Sequence, residues 1–267
     1  MTTSSQFLAA DGDGYEALMG RWSKRLAPLF IDFTGITTAE SVLDVGCGTG
    51  SLTFALASNP RIHAVQGVDL SPVYVEYASQ QSRDSRTRFR VADACALPFP
   101  DESFDHSLSL LVFQFIPNVE QAIRELKRVT RLAGTAGAAT WNTQDLAIHR
   151  MFYEAAAEFN PRARELRAAA CARPMSRADG LAKAWRDFGM TKVSVDSLSI
   201  PMDYASFDDF WSPLTGRDGP YADYYASLDT DRKARLRERL QAVYCSGGSD
   251  GPRSYPAAAW AVKGNVA

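Results

Sequence analysis

One glycine-rich stretch limits what this 267-residue chain can fold into. Residues 41–45 are mostly apolar and predict a buried strand, and Gly46, Gly48 and Gly50 follow at once. Glycine lets a backbone turn sharply and approach a ligand closely, because it has no Cβ. The helix predicted over residues 51–58 would point its free N–H groups and positive dipole end at that ligand. The stretch therefore predicts a strand, a turn and a helix that together hold a cofactor.

Strands and helices alternate after this stretch. Ser71 followed by Pro72 is a helix start signal, and Asn118 caps a later helix. Repeated β–α units predict a parallel sheet covered on both faces, with ligands at the carboxyl ends of the strands. We expect an α/β fold, a Rossmann-like doubly wound sheet of about seven strands with helical cap insertions. The predicted strands are residues 41–45, 64–69, 87–93, 104–111, 136–141, 191–200 and 256–262.

The chain is predicted to form a single domain over residues 1–267, because no linker divides it. A helical cover at residues 15–35 precedes a cofactor-binding core at residues 40–142. Helical insertions at residues 143–175 and 203–250 are expected to form a cap over the substrate, and the second is rich in aromatic residues.

Several local patterns add detail. The N-terminal helix is expected to give way to a new segment at Pro28, and Gly20 suggests a bend or a close contact within it. The alternation of residues 191–200 changes phase between Val195 and Leu198, which predicts a bulge. The helix at about residues 230–244 is expected to turn three side chains inward, those of Leu236, Leu240 and Val243.

Composition excludes several classes of partner. The net charge of −2 gives no electrostatic reason to expect binding to nucleic acid. No apolar run approaches the length of a membrane span, and the N-terminus lacks the apolar core of a signal peptide. The cysteines form no CxxC pair, which favours reduced thiols in a cytoplasmic protein over a zinc site or disulfides. They are Cys47, Cys95, Cys171 and Cys245.

The glycine spacing narrows the choice of ligand. A phosphate-binding loop needs a lysine, and none lies between Lys24 and Lys127. A dinucleotide fingerprint would place its third glycine at position 51, which is a serine. A nicotinamide cofactor is therefore disfavoured but stays open.

Residues 42–50 resemble the first motif of the class I S-adenosylmethionine-dependent methyltransferases almost residue for residue. Residues 97–105 match a run found in the small-molecule branch of that family, which is similar to the ubiquinone and menaquinone biosynthesis methyltransferases (methyltransferase type 11-like). The resemblance covers roughly residues 40–145. It implies S-adenosylmethionine as cofactor, with S-adenosylhomocysteine as product.

The resemblance also implies roles for individual residues. Asp69 would accept both ribose hydroxyls, and Asp93 with Ala94 would hold the adenine. Arg21 would contact the cofactor carboxylate from the N-terminal helix, unless it is a surface arginine. The full set of expected cofactor-binding residues is Arg21, Asp44, Gly46, Cys47, Gly48, Thr49, Gly50, Asp69, Leu70, Asp93, Ala94, Ser109 and Leu110.

No catalytic triad is apparent, and methyl transfer needs mainly positioning and exclusion of water. Where many relatives have a histidine this chain has Gln114, which cannot act as a base. His149, after the fifth strand, is the only histidine placed to face a substrate, although a packing role is the competing interpretation. His63 and His106 are expected to be structural or exposed.

These observations predict a methyltransferase that moves a methyl group to an O, N or C nucleophile of a small molecule. The chain lacks the proline-containing motifs of DNA methyltransferases, so we expect no nucleic-acid partner, and we expect no metal. Two alternatives stay open: a nicotinamide-dependent oxidoreductase and a non-catalytic regulatory protein that binds S-adenosylmethionine. The sequence leaves open whether the protein is a monomer or a homodimer.

Overall fold

The computed structural model describes residues 11–217 and 219–267. Seven strands form one sheet in the order β3-β2-β1-β4-β5-β7-β6. Strands β1 to β5 pair in parallel, and β7 runs antiparallel to both β5 and β6. This arrangement confirms the predicted α/β fold. The strands are β1 (Val42–Val45), β2 (Val65–Asp69), β3 (Thr87–Val91), β4 (Phe104–Leu110), β5 (Thr130–Trp141), β6 (Thr191–Tyr204) and β7 (Arg253–Asn265).

Helices cover both faces of the sheet and the carboxyl ends of its strands. The first helices are α1 (Gly12–Tyr15), α2 (Arg21–Thr34), α3 (Ser51–Ala57), α4 (Pro72–Gln81) and α5 (Val119–Val129). Between β5 and β6 lie α6 (Ala147–Ala157), α7 (Arg162–Cys171) and α8 (Ala178–Asp187). Between β6 and β7 lie α9 (Phe207–Trp211), α10 (Gly219–Ala226) and α11 (Thr230–Cys245), which we call the cap. None of the described helices combines the length and the apolar character needed to cross a membrane.

The predicted helix caps are confirmed. The Ser71 hydroxyl accepts a hydrogen bond from the Tyr74 amide, and Pro72 occupies the first turn of α4. The Asn118 side chain accepts a hydrogen bond from the Gln121 amide at the start of α5. Each cap pairs a backbone N–H that the helix itself leaves without a partner.

The prediction that a new segment starts at Pro28 is wrong, because α2 continues through this residue to Thr34. Proline removes one helical hydrogen bond. Burial of Trp22, Leu26 and Phe30 along the same helix offsets that loss. The close contact expected at Gly20 is confirmed: a single π-helical turn, Glu16–Gly20, brings the Glu16 carboxyl to where a Cβ on Gly20 would lie.

Strand β5 begins at Thr130, six residues before the predicted start. The register with β4 shifts between Phe104 and His106, because β5 advances from Thr130 to Thr135 over the same interval. A Cβ on Gly134 would lie 2.2 Å from the Asp105 carbonyl oxygen, so the two strands approach closely here. Glycine inside a strand marks a bulge here.

The bulge predicted between Val195 and Leu198 is also misplaced. These residues pair without interruption with β7, and the register shifts instead between Thr191 and Ser194. The alternation changes because β6 packs first one face and then the other. Val195 lies against the core on the α8 side, whereas Leu198 lies against the core on the α2 side.

The insertion between β6 and β7 differs in detail from the prediction. It begins after Tyr204, because β6 is longer than expected. Leu236 and Leu240 of α11 are buried as predicted, but Val243 is 42% exposed and Tyr244 is buried in its place. Tyr244 packs against the rings of Phe207 and Phe210.

Candidate functional site

A cavity of about 440 Å³ lies at the carboxyl ends of β1 to β5. Its volume is within the range of small-molecule sites, and its position is the one expected for a doubly wound sheet. The N-terminal segment covers one side through Tyr15, Leu18 and Met19. Helices α6 and α7 and the start of α10 cover the other side.

The glycine loop forms the floor of the cavity. Gly46 and Gly48 line it, and both have positive φ angles, +74° and +53°. A Cβ on Gly46 would lie 2.4 Å from a methyl carbon of Val112, so only glycine leaves this space clear. The Gly46 and Cys47 amides donate to the Val68 carbonyl oxygen at 2.7 and 2.9 Å, which fixes the loop against β2.

Asp69 ends β2 beside this loop. Its carboxylate accepts hydrogen bonds from the Gly48 amide and the Ser71 amide, each at 2.9 Å and each to a different oxygen. Burial raises the pKa of this carboxyl above its usual range, while the two amides oppose that rise. Each oxygen retains capacity for a further donor, so the carboxylate can accept two hydroxyl groups.

The end of β3 continues the same wall. Asp93 and Ala94 line the cavity, and one Asp93 oxygen accepts the Cys95 amide at 2.8 Å. Leu70 and Ile116 add apolar surface. The structure therefore brings together six of the predicted cofactor-binding residues at one edge of the cavity, namely Gly46, Gly48, Asp69, Leu70, Asp93 and Ala94.

Arg21 does not line the cavity, so its predicted contact with the cofactor carboxylate stays a prediction. Its guanidinium donates to the Asp209 carboxylate at 2.8 Å. It also lies over the rings of Trp22 and Tyr204, 4.4 and 5.0 Å from their centroids. Arg21 therefore joins the N-terminal helix to the cap.

The remaining residues of the glycine motif support the loop from below rather than facing the cavity. The buried Asp44 carboxylate accepts a hydrogen bond from the Thr53 hydroxyl at 2.7 Å. The Thr49 hydroxyl donates to the Glu16 carboxylate at 2.5 Å and so ties the loop to the N-terminal segment. Cys47 is buried, and Gly50 adopts a φ of +96° at the start of α3.

Ser109 and Leu110 do not reach the cavity either. The Ser109 hydroxyl donates to the Val45 carbonyl oxygen at 2.7 Å, and Leu110 packs in the core. Leu111, with a φ of +66°, lines the cavity in place of Leu110. Strand β4 ends one residue earlier than predicted, and this backbone turn decides which leucine lines the cavity.

His149 lines the far half of the cavity, together with Tyr153 and Tyr221. Its Nδ1 lies 3.2 Å from the Tyr221 hydroxyl, and its ring meets the Tyr153 ring edge-to-face at 4.8 Å. Burial, assisted by the charges of Arg167 and Arg173, lowers the pKa of His149 to about 4, so the imidazole is neutral at pH 7. Among the described residues, Nε2 is buried and has no hydrogen-bond partner.

Gln114 lines the cavity as a connecting residue. Its side-chain oxygen accepts the Trp141 amide at 3.1 Å, and its carbonyl oxygen accepts from Arg173 at 3.3 Å. It thereby joins the end of β4 to the end of β5. Arg173, Tyr153 and Ser176 also line the cavity, although no sequence motif marked them.

The other two histidines lie outside this cavity, as expected. The His106 ring accepts the Thr135 amide at 3.0 Å, and the exposed His63 pairs with Glu40. Both interactions are structural.

Comparison with known proteins gives a match for the central part of the chain. Residues 43–136 match the family described as Methyltransferase domain. This segment is similar to a methyltransferase domain. It contains the glycine loop, Asp69 and Asp93, which lie together at one edge of the cavity.

The chain is similar to two enzymes described as malonyl-[acyl-carrier protein] O-methyltransferases. It is 38% identical over 106 residues to that of Halorhodospira halophila, which covers 39% of this chain and 36% of that protein. It is 34% identical over 159 residues to that of Geobacter sulfurreducens, which covers 58% and 57%. The match thus spans about a third to somewhat more than half the length of these relatives.

Among solved structures, the chain is similar to phosphoethanolamine N-methyltransferase 2 of Haemonchus contortus in complex with S-adenosyl-L-methionine. The TM-score is 0.58 at 17% identity, covering 95% of this chain and 56% of that chain. This likeness concerns the fold. The shared fold extends beyond residues 43–136 and includes the cap, β6 and β7.

Proposed function

We propose that the protein transfers a methyl group from S-adenosylmethionine to a small molecule. The observation that carries the proposal is the Asp69 carboxylate, held beside the glycine loop by the Gly48 and Ser71 amides and lining the same cavity. A carboxylate in this position suits a pair of ribose hydroxyls, and a loop without lysine suits a cofactor without phosphate. The matching methyltransferase domain covers these residues.

The cavity residues fit such a cofactor. Asp69 would hold the ribose, Asp93 and Ala94 the adenine, and Gly46 and Gly48 would leave room for the methionine end. When bound, S-adenosylmethionine supplies an electrophilic methyl group on a sulfonium. The protein's own part is to orient the acceptor and exclude water, which can lower the barrier by about 7–11 kcal/mol.

The acceptor would occupy the half of the cavity enclosed by α6, α7 and the cap. Trp141, Tyr153 and Tyr221 line that half, and such walls suit a molecule with an apolar body. We therefore assign the segments at residues 143–175 and 205–252 to acceptor binding. A protein with reduced thiols and this small-molecule chemistry would act in the cytoplasm.

Calorimetric titration with S-adenosylhomocysteine tests the cofactor assignment. We expect binding to the wild-type protein and a loss of about a hundredfold in Asp69→Ala, with NAD giving no signal. Binding of NAD in preference to S-adenosylhomocysteine would favour the nicotinamide-dependent oxidoreductase.

Label transfer tests catalysis separately from binding. Methyl-labelled S-adenosylmethionine is incubated with the protein and a small-molecule extract, and methylated products are identified by mass. Tight binding of S-adenosylhomocysteine with no labelled product would instead favour the non-catalytic regulatory protein.

A further inference from the structure

The two halves of the cavity carry opposite chemistry. Both carboxylates that line it among the described residues, Asp69 and Asp93, belong to the cofactor half. The acceptor half is lined by aromatic rings, by neutral His149 and by Arg173, the only Lys or Arg among the described lining residues. An ammonium group would find no carboxylate there, so the lining disfavours an amine acceptor.

The aromatic walls constrain the shape of the acceptor. His149, Phe152, Tyr153 and Tyr221 form one cluster with ring centroids 4.8–6.0 Å apart. Trp141 and Phe115 line the cavity at the ends of β5 and β4. Flat aromatic surfaces favour a planar, mostly apolar ligand.

The buried imidazole is one polar group that such a ligand could meet. His149 is 5% exposed, its Nδ1 faces the Tyr221 hydroxyl at 3.2 Å, and Nε2 lacks a partner among the described residues. A buried polar atom without a partner is costly unless a ligand supplies one. Tyr221 comes from the cap, 72 residues further along the chain, so the pair forms only when the cap is in place.

We infer, on the basis of the proposed function, that the acceptor is a planar aryl alcohol and that His149, positioned by Tyr221, receives the proton of its hydroxyl. Nδ1–H would donate to the Tyr221 oxygen, which leaves the lone pair of Nε2 for the acceptor. The acceptor oxygen forms a bond to the methyl carbon. The methyl–sulfur bond breaks with its electron pair on sulfur, and the hydroxyl proton moves to Nε2.

A weak base is suited to this step. Before methyl transfer the hydroxyl is a poor acid, but an oxygen with three bonds is a very strong acid. His149 therefore takes the proton only as the new C–O bond forms, which is the behaviour of a general base acting in the transition state. The neutral imidazole also adds no positive charge beside the sulfonium when the substrates bind.

The first test uses two probes that share one aromatic ring system, 2-naphthol and 2-naphthylmethylamine, with methyl-labelled S-adenosylmethionine, because only the second is an ammonium ion at pH 7. We expect label on the oxygen of 2-naphthol and at least tenfold less on the amine. Label on nitrogen or carbon, or on neither probe, in a protein that binds S-adenosylhomocysteine overturns the inference and leaves the cofactor assignment intact. Failure to bind S-adenosylhomocysteine would contradict the proposed function itself.

The second test uses variants. His149→Gln should lower kcat for 2-naphthol about a hundredfold. Tyr221→Phe, which keeps the packed ring, should lower kcat about tenfold with KM within twofold. Tyr224→Phe is the matched control, because it removes a hydroxyl from the same helix outside the cavity lining and should leave kcat unchanged. Equal losses in Tyr221→Phe and Tyr224→Phe would contradict the positioning role.

A third measurement does not depend on activity. The chain has three histidines, so the imidazole ¹⁵N spectrum of the S-adenosylhomocysteine complex is simple, and His149→Gln assigns it. We expect the tautomer with the proton on Nδ1 in the wild type and a mixture of tautomers in Tyr221→Phe. A wild-type proton on Nε2 would overturn the assignment of His149 as the base.

Discussion

The two halves of the cavity are built in different ways. The cofactor half is built mainly from backbone turns and strand ends within residues 43–136, the segment that matches the methyltransferase family. The acceptor half is built mainly from side chains of α6, α7 and the cap, with Trp141 and Arg173. A cofactor common to many enzymes can be held by backbone geometry, whereas the acceptor needs side chains particular to one chain.

The largest effect is expected from a substitution in the cap, which should lower the stability of the protein without weakening cofactor binding. Phe210 is fully buried in the cap, where it packs on Tyr204 and Tyr244. Phe210→Ala should lower the free energy of unfolding by about 3–5 kcal/mol. At a temperature where the variant is still folded, its affinity for S-adenosylhomocysteine should stay within threefold of wild type. A larger loss, measured by calorimetry beside urea unfolding, would show that the halves are coupled.

A second prediction concerns pH and the floor of the cofactor half. Burial and the nearby Asp69 raise the pKa of Asp44 to about 7, partly opposed by the Thr53 hydroxyl. The folded state therefore binds the proton more tightly than the unfolded state does. Protonated Asp44 thereby stabilises the folded state. This stabilisation is complete below the unfolded pKa of about 4 and is lost as the pH rises towards 7, at about 1.4 kcal/mol for each pH unit.

Urea unfolding at pH 5 and pH 7 measures this effect as the difference between wild type and Asp44→Asn. Taking the difference removes the contribution of other groups such as His149, whose lowered pKa acts in the opposite direction between about pH 4 and 6.5. Equal pH dependence in the two proteins would contradict the raised pKa.

A third prediction tests the carboxylate on which the cofactor half depends. Asp69→Ala should weaken S-adenosylhomocysteine binding by about a hundredfold, since two charged hydrogen bonds are lost. Asp209→Asn provides the matched control, because Asp209 binds Arg21 outside the cavity. Similar losses in both variants would point to a general loosening of the fold.

A fourth prediction uses the close approach at the glycine loop. Gly46→Ala should cost about 1–3 kcal/mol of stability and weaken cofactor binding, because the new Cβ meets Val112 and φ is positive. Adding Val112→Ala should restore part of the loss by clearing the contact. Absence of any recovery would assign the whole effect to the backbone angle.

The smallest effect is expected for Arg21→Ala. The Arg21–Asp209 pair is about one-third exposed, so its loss should cost no more than about 1 kcal/mol. Cofactor affinity should change less than twofold. A tenfold weakening of S-adenosylhomocysteine binding in calorimetry would instead indicate that Arg21 contacts the cofactor, although Arg21 does not line the cavity.

The cofactor half was largely predictable because its determinants are local. Three glycines in five positions, an aspartate at a strand end and a Ser-Pro helix start each act within a few residues of one another. The predicted contacts of Gly46, Gly48, Asp69, Asp93 and Ala94 with one cavity follow from the parallel sheet, which places consecutive strand ends together.

Where a residue lies elsewhere than its local sequence suggests, longer-range packing decided the outcome. Arg21 pairs with the carboxylate of Asp209, 188 residues away, and its guanidinium lies over the rings of Trp22 and Tyr204. Pro28 stayed within a helix because the residues around it are buried. The choice of Leu111 over Leu110 depended on a single positive φ at the end of β4.

The sequence alone thus determined the sheet and the glycine loop, since periodicity and turn chemistry act over short distances. Only the tertiary structure decided the acceptor half. The pairing of His149 with Tyr221 requires that α6 and the cap fold against each other, and no spacing along the chain encodes a distance of 3.2 Å between residues 72 positions apart.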